Sequence, residues 1–213
     1  MINFYTKEDT YYVQGKGIHL VDGNVDLGST HIGVTRLCNY GEPSFIEKLT
    51  TKYGEEKAKE IAEKSSKRGT KIHEQLETNY EEMLPDDIIN QLGCLVGSEL
   101  FVWGSILDVN LLGFIDALFY DGESYHIVDY KTKSSAWSFN RYSTPDNIAK
   151  YYAQLLYYSM LLKQMYGIEV STFNIVLLFN NGDEPELLRL DRDGIRMYAS
   201  LVIGKLKQYA NEN

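Results

Sequence analysis

Apolar positions recur along this chain with two different periods, and the change from one to the other divides it. After Pro43, Ser44 stands where a helix N-cap belongs, opening a helix through about Leu49 or farther. Residues 55–67 are polar and helix-prone, with Ile61 among their few large apolar side chains. Gly69-Thr70 then marks the start of a further helix over 71–80, on which Ile72, Leu76 and Tyr80 recur every four positions. Another helix is expected after Pro85, over 86–93. From there strands are expected at 95–107, 111–120 and 125–131. A long amphipathic helix over 146–166, stopped by Gly167, leads to a strongly apolar strand at 170–180. A short strand at 187–190 and a closing helix over 193–209 complete the chain. Residues 1–30, rich in Gly, Tyr and Asp with weak alternation, read as short strands or an ordered arm. Helices, a three-stranded meander, then helix–strand–strand–helix describe an α/β (α+β) domain with a mixed central sheet flanked by helices.

The meander carries the chemistry. Two aromatic-rich apolar runs, 111–120 and 125–130, flank Asp121-Gly122, the strongest short-range hairpin signal in a sequence. With a four-residue loop over 121–124, Tyr120 faces Tyr125 and Asp116 lies directly opposite Asp129. A two-residue turn at Asp121-Gly122 instead makes the two aspartates diagonal neighbours on one face. In both registers Lys131, two residues beyond Asp129, shares that face. Two carboxylates and an ammonium thus meet on strands apolar enough to be buried. Facing aspartates repel and are costly to bury unpaired, a cost that a divalent cation with hard oxygen ligands removes. The plainer alternative is a salt bridge from Lys131 to one aspartate at a sheet edge.

Composition narrows the class. At 213 residues the chain is expected to form one domain, and 44% apolar with 13% aromatic residues fits a soluble globular protein. No window approaches eighteen uninterrupted apolar residues, and Lys7, Glu8 and Asp9 argue against a signal peptide. Cys38 and Cys94 form no Cys-x-x-Cys pair, which points to a reducing cytoplasm and away from zinc or iron–sulfur sites. The net charge of −9 argues against tight coating of a duplex. Basic residues nevertheless gather at Lys64, Lys67, Arg68 and Lys71, and again at Lys131, Lys133, Arg141 and Lys150.

Three further features line up with the hairpin: His73 and Glu74 at the expected helix start, Gln154 and Tyr158 one turn apart on the long helix, and Glu99 in the strand before the hairpin. Each is weak alone. In order, Gly69-Thr70-x-x-His73, Gly113-x-x-Asp116, Asp129-Tyr130-Lys131-Thr132-Lys133 and Gln154-x-x-x-Tyr158 resemble the RecB-like branch of the PD-(D/E)XK nucleases. The likeness is strongest to the small stand-alone exonucleases of phages and of mitochondrial genome maintenance, and covers about residues 60–180. The second acidic position is Asp129 rather than the commoner Glu, and the iron–sulfur members are excluded by the lack of a cysteine cluster. No Walker-type phosphate loop is present, so the chain carries no helicase motor.

The resemblance implies a restriction-endonuclease-like core, with 1–40 as an arm or accessory strands and 191–213 as a C-terminal helix. It implies Mg²⁺ or Mn²⁺ on Asp116, Asp129, the Tyr130 carbonyl and His73, with Glu74 as the alternative ligand if His73 points elsewhere. Glu99, by its place on the strand before the hairpin, is a lesser candidate whose ordinary role would be surface charge. Lys131 would act on the attacking water. Gln154 and Tyr158 would hold the site or the nucleic-acid backbone, and Arg68, Lys71, Thr132 and Lys133 would contact phosphates. The expected activity is metal-dependent hydrolysis of DNA, acting on single strands or ends in recombination, repair or replication. Tyr151, Tyr152, Tyr157 and Tyr158 are candidate base-stacking residues. A junction endonuclease, favoured if the chain forms a homo-oligomer, an idle nucleic-acid-binding module of the same fold, and a small-molecule phosphodiesterase are the alternatives. No membrane partner is expected.

Overall fold

The computed structural model describes residues 2–13, 17–20, 31–136 and 144–213. Arg141 therefore lies outside the described residues, as does much of the stretch read as an arm.

The N-terminal segment forms a 3-10 turn, Lys7–Asp9, and an antiparallel pair, β1 (Thr10–Val13) and β2 (Gly17–Leu20). A two-residue strand, β3 (Ile32–Gly33), runs straight into α1 (Val34–Cys38). Helix α2 (Phe45–Tyr53) opens on Ser44, whose hydroxyl accepts from the Glu47 amide while the Glu47 carboxylate accepts from the Ser44 amide. This is the capping box that Ser44 and Glu47 encode.

The next helix corrects the sequence reading. Residues 55–67 and 71–80 belong to one helix, α3 (Glu55–Met83), with non-helical backbone at Asn79 rather than a start at Gly69. A glycine inside a helix costs only about 1 kcal/mol. Ion pairs one turn apart (Lys59–Glu55, Lys64–Glu60 and Lys67–Glu63) support the exposed half, and Leu76 anchors the other half in the core. Helix α4 (Asp86–Leu92) follows Pro85 as expected.

Strands β4 (Cys94–Ile106), β5 (Val109–Tyr120), β6 (Tyr125–Lys133), β7 (Val170–Phe179) and β8 (Glu186–Asp191) build the main sheet with β3. Helix α5 (Pro145–Tyr166) crosses over between the parallel neighbours β6 and β7. Thr144 caps its start and Gly167, in the left-handed region, its end. The C-terminus is helical in three pieces: α6 (Arg192–Ile195), a 3-10 turn and α7 (Ala199–Glu212). A mixed sheet flanked by helices is the expected α/β (α+β) class.

The hairpin adopts the four-residue loop, with Tyr120 paired to Tyr125 and Ala117 to Val128. Asp121 Oδ1 accepts from the Glu123 and Ser124 amides, closing the turn through its side chain. Beyond Ala117 and Val128 the sheet forks. Strand β6 continues along β7 through Lys133, whereas β5 meets β3 at Leu111 and Leu112. Residues 113–116 of β5 border this fork, open on the side away from β4.

The larger core, under α5 and α7, contains Ile115, Leu118, Tyr157 and Leu161. The smaller one lies under α3 and α4 and contains Leu76, Ala117, Phe119 and Tyr130. Strict alternation would send Ile115 and Leu118 to opposite faces of β5. Both belong to the larger core, so the facing of the strand slips at Asp116.

Candidate active site

The site occupies the fork. Asp116 sits where β5 leaves β6, and its Oδ2 accepts from the Tyr130 amide at 2.7 Å. Across from it in β4, Glu99 has φ +46°, a left-handed conformation that costs a non-glycine residue about 1–3 kcal/mol and clusters at functional sites. His73, on α3, brings Nδ1 to 3.5 Å from Glu99 Oε1 and 3.8 Å from Asp116 Oδ1. One ligand atom from each of the three lies within 4.8 Å of the others. The Tyr130 ring meets the imidazole edge-on at 5.9 Å, which fixes its plane from below.

The second half of the site is held on β6 and α5. Asp129 is buried, and Lys131 Nζ lies 2.7 and 2.6 Å from its two carboxylate oxygens. Gln154 Nε2 donates to Asp129 Oδ1 at 3.1 Å. Asp129 Oδ2, although beside the ammonium, receives no directed hydrogen bond. Tyr158 closes the wall: a Cβ at Gly113 would lie 2.5 Å from its Cε1, so only glycine lets the ring reach the strand. Thr35 of α1 lines the same cavity beside Tyr158. A cavity of about 510 Å³ joins these groups, walled by β3–α1, α3, the fork and α5, with Lys7 at its rim.

Burial raises Asp116 to about 7, and the Asp129 charge adds to that; Lys131, His73 and the Tyr130 amide pull in the other direction. Burial disfavours the charged form of His73, but Glu99 and Asp116 outweigh it and raise its pKa. Burial likewise acts against the Lys131 ammonium, and Asp129 and Asp116 outweigh it, so its pKa also rises. Around the cavity Glu74, Glu77, Glu99, Asp116 and Asp129 outnumber the cations, which are Lys131 and, at the rim, Lys7.

These residues fit a divalent cation. The donors are carboxylates and one imidazole, which suit hard or borderline ions. Asp116, half-buried and repelled by the Asp129 charge, is a group that such an ion would satisfy. When bound, a divalent ion supplies Lewis-acid polarisation of a phosphoryl oxygen and a more acidic water.

The structure gathers Asp116, Asp129, Lys131, His73, Gln154, Tyr158, Glu74 and Glu99 around one cavity. The three-residue ligand cluster contains Glu99 together with His73 and Asp116. Asp129 stands with Lys131 and Gln154 instead. Tyr130 contributes its amide and ring here; its carbonyl stays a proposed ligand. Arg68 and Lys71 are exposed on α3 next to cavity-lining Gly69, Thr70 and His73 without lining the cavity themselves. Thr132 lies on the face of β6 opposite Lys131, and Lys133 Nζ donates to the Tyr151 hydroxyl at 2.8 Å. Lys150 is engaged by Glu42.

Of the four candidate stacking tyrosines, at least two of which were expected to pack in the core, three do. Tyr152, Tyr157 and Tyr158 are buried, with Tyr152 stacked on Tyr198 and the Tyr157 hydroxyl donating to the Val202 carbonyl. Sequence reasoning missed Gly33, Val34 and Thr35, which line the cavity from β3 and α1, and Glu77 and Lys7 at its edge. Glu77 follows Thr70, His73 and Glu74 at helical spacing and was the one that periodicity could have supplied.

Gln154→Ala should lower cleavage about ten- to a hundredfold, the range expected from a lost hydrogen bond to a charged group. Steady-state rates beside those of Asp116→Ala check this; an equal loss in both would give Gln154 a different role.

The chain matches the PD-(D/E)XK nuclease superfamily over residues 41–193 and belongs to it. Among solved structures it is similar to SSO0001, with 16% identity, TM-score 0.44, and coverage of 82% of this chain and 75% of that one. A presumed exonuclease from Eubacterium rectale gives 13% identity and TM-score 0.49, covering 84% and 79%. LHK-Exo in complex with dAMP gives 13% identity and TM-score 0.41, covering 86% and 89%. No curated protein matches the chain in sequence. Among the described residues no helix is long and apolar enough to cross a membrane.

Proposed function

We propose that this chain is a Mg²⁺- or Mn²⁺-dependent deoxyribonuclease that works as an exonuclease on single strands or DNA ends. The observation that carries the reading is the joining of Asp116, Asp129, Lys131, His73 and Glu99 in one cavity at the sheet fork. Asp116, His73 and Glu99 would hold the cation, with Asp129 and the Tyr130 carbonyl of β6 as further oxygen ligands. Lys131, kept as the ammonium by two carboxylates, orients the attacking water and donates to the phosphoryl oxygen as charge builds there. Gln154 keeps Asp129 turned towards the cavity. Tyr158 and Gly113 shape the wall against which the strand lies.

Threading of a strand is supported by the cavity itself. Its volume is that of a small-ligand pocket rather than a duplex-wide saddle, and Glu74 and Glu77 of α3 with Glu99 of β4 make one wall acidic. Arg68 and Lys71, exposed beside cavity-lining Gly69, Thr70 and His73, are the phosphate contacts on that helix in this reading. We place this activity in recombination, repair or replication, and in an intracellular setting on the ground that Cys38 and Cys94 are both free thiols.

The test is digestion of end-labelled linear single-stranded, linear double-stranded and closed circular DNA, with Mg²⁺ or Mn²⁺ and with chelator. Metal-dependent loss of linear DNA with circles spared is expected, and the label position gives the polarity. Cut circles would make the enzyme an endonuclease. Silence on every substrate would return the fold to a binding role.

A further inference from the structure

We propose that Tyr151 is a positioning residue for Lys131, its ring face holding the ammonium beside the cavity when Asp129 turns its oxygens to another partner. This inference rests on the nuclease reading above. Lys131 Nζ has two neighbours of different kinds. One is the Asp129 carboxylate at 2.6 to 2.7 Å; the other is the face of the Tyr151 ring, 5.0 Å from its centroid. That distance is within the range over which an aromatic quadrupole attracts a cation. In the reading above Asp129 is shared with a divalent ion, and a lysine on four rotatable bonds then needs a second resting place. The π face offers one without adding a carboxylate that would neutralise the ammonium.

The ring is itself held in place. Lys133 Nζ donates to the Tyr151 hydroxyl at 2.8 Å and lies 5.1 Å from the ring centroid. Lys131 and Lys133 share one face of β6, so the two ammonium groups bracket the same ring. Tyr151 and Gln154 are three residues apart on α5 and share a helix face. From that face Gln154 holds Asp129 while Tyr151 holds Lys131, one helical turn positioning both members of the β6 pair. The other three tyrosines of this helix segment are buried and committed elsewhere; Tyr151 is half-buried at the edge of the site.

The experiment compares Tyr151→Phe, Tyr151→Leu and the unaltered enzyme in steady-state cleavage of a linear oligonucleotide, with Asp129→Ala as the inactive control. Tyr151→Phe keeps the ring face and should retain kcat within about twofold. Tyr151→Leu should lower kcat about tenfold with KM within about twofold, the scale of a partly desolvated cation–π contact. Wild-type kcat in Tyr151→Leu overturns the proposal. So does a loss confined to KM, which would make Tyr151 a base-stacking residue. Should Tyr151→Leu fail to fold, Tyr151→Met carries the same comparison. An inactive unaltered enzyme would instead strike at the nuclease reading.

Discussion

Asp129→Ala is expected to reduce metal-dependent cleavage by about 10³-fold or more while leaving the fold in place. Asp129 is the point where the two halves of the site meet: it is buried, paired with Lys131 and held by Gln154. Removing it takes away a cation ligand and the acceptor that places the ammonium. It also leaves the Lys131 charge without a partner in a mostly buried position. Breaking a buried pair from one side costs about 3–5 kcal/mol, and less here because the Lys131 side chain keeps 22% of its exposure. Loss of activity alone would therefore mix chemistry with stability.

A second variant separates them. Asp129→Ala combined with Lys131→Met removes the orphaned charge and should recover most of the lost thermal stability without recovering cleavage. Thermal unfolding and cleavage measured on the same preparations decide it. Full activity in Asp129→Ala would sink the assignment of the site. Recovery of activity in the double variant would show that the single variant failed only through its stability.

The half of the site on the hairpin was readable because a strand repeats every two residues and either turn allowed by Asp121-Gly122 puts the three charged residues on one face. Asp116, Asp129 and Lys131 follow from those two facts. Glu99 does not follow in the same way. Its strand has an irregular register between Leu95 and Gly97, and its own backbone is left-handed, so no alternation marks which way it points. The cavity wall at Gly33 to Thr35 was hidden for another reason. A two-residue strand shows no periodicity, and its partner, at Leu111 and Leu112, is far away in the chain. The α3 error came from giving a glycine more weight than its cost. Gly69 read as a boundary, whereas Leu76 in the core and a series of surface ion pairs carry the helix through it.

Asp116→Asn should abolish cleavage and yet make the metal-free protein more stable at pH 8. Burial and the Asp129 charge raise the Asp116 carboxyl to about 7, well above the ordinary 3.8 it has in the unfolded chain. The folded state thus binds the Asp116 proton more tightly than the unfolded state does. Stability from this group is fully present below pH 4 and is lost as pH rises through about 7. His73, also raised, contributes with the same sign: the imidazolium stabilises the fold at low pH, and that is lost as pH rises through its folded value. The metal-free wild-type protein should accordingly show a falling Tm between pH 5 and 8. The full shift corresponds to at most about 4 kcal/mol, or at most roughly 8–16 °C in Tm for a chain of this length.

The amide of Asp116→Asn carries no charge and removes both the Asp129 repulsion and the His73 partner. Its Tm should therefore vary less across that pH range and exceed that of the wild type at pH 8 in chelator. Added Mg²⁺ or Mn²⁺ should raise the wild-type Tm at pH 8, because a ligand that binds only the folded state stabilises it. The same addition should leave Asp116→Asn nearly unmoved. A wild-type Tm that climbs from pH 5 to 8, or an equal metal response in both proteins, would contradict this account of the site. The predicted pattern has one physical source: two carboxylates held close together in the sheet fork, destabilising the fold without a cation and binding one because of it.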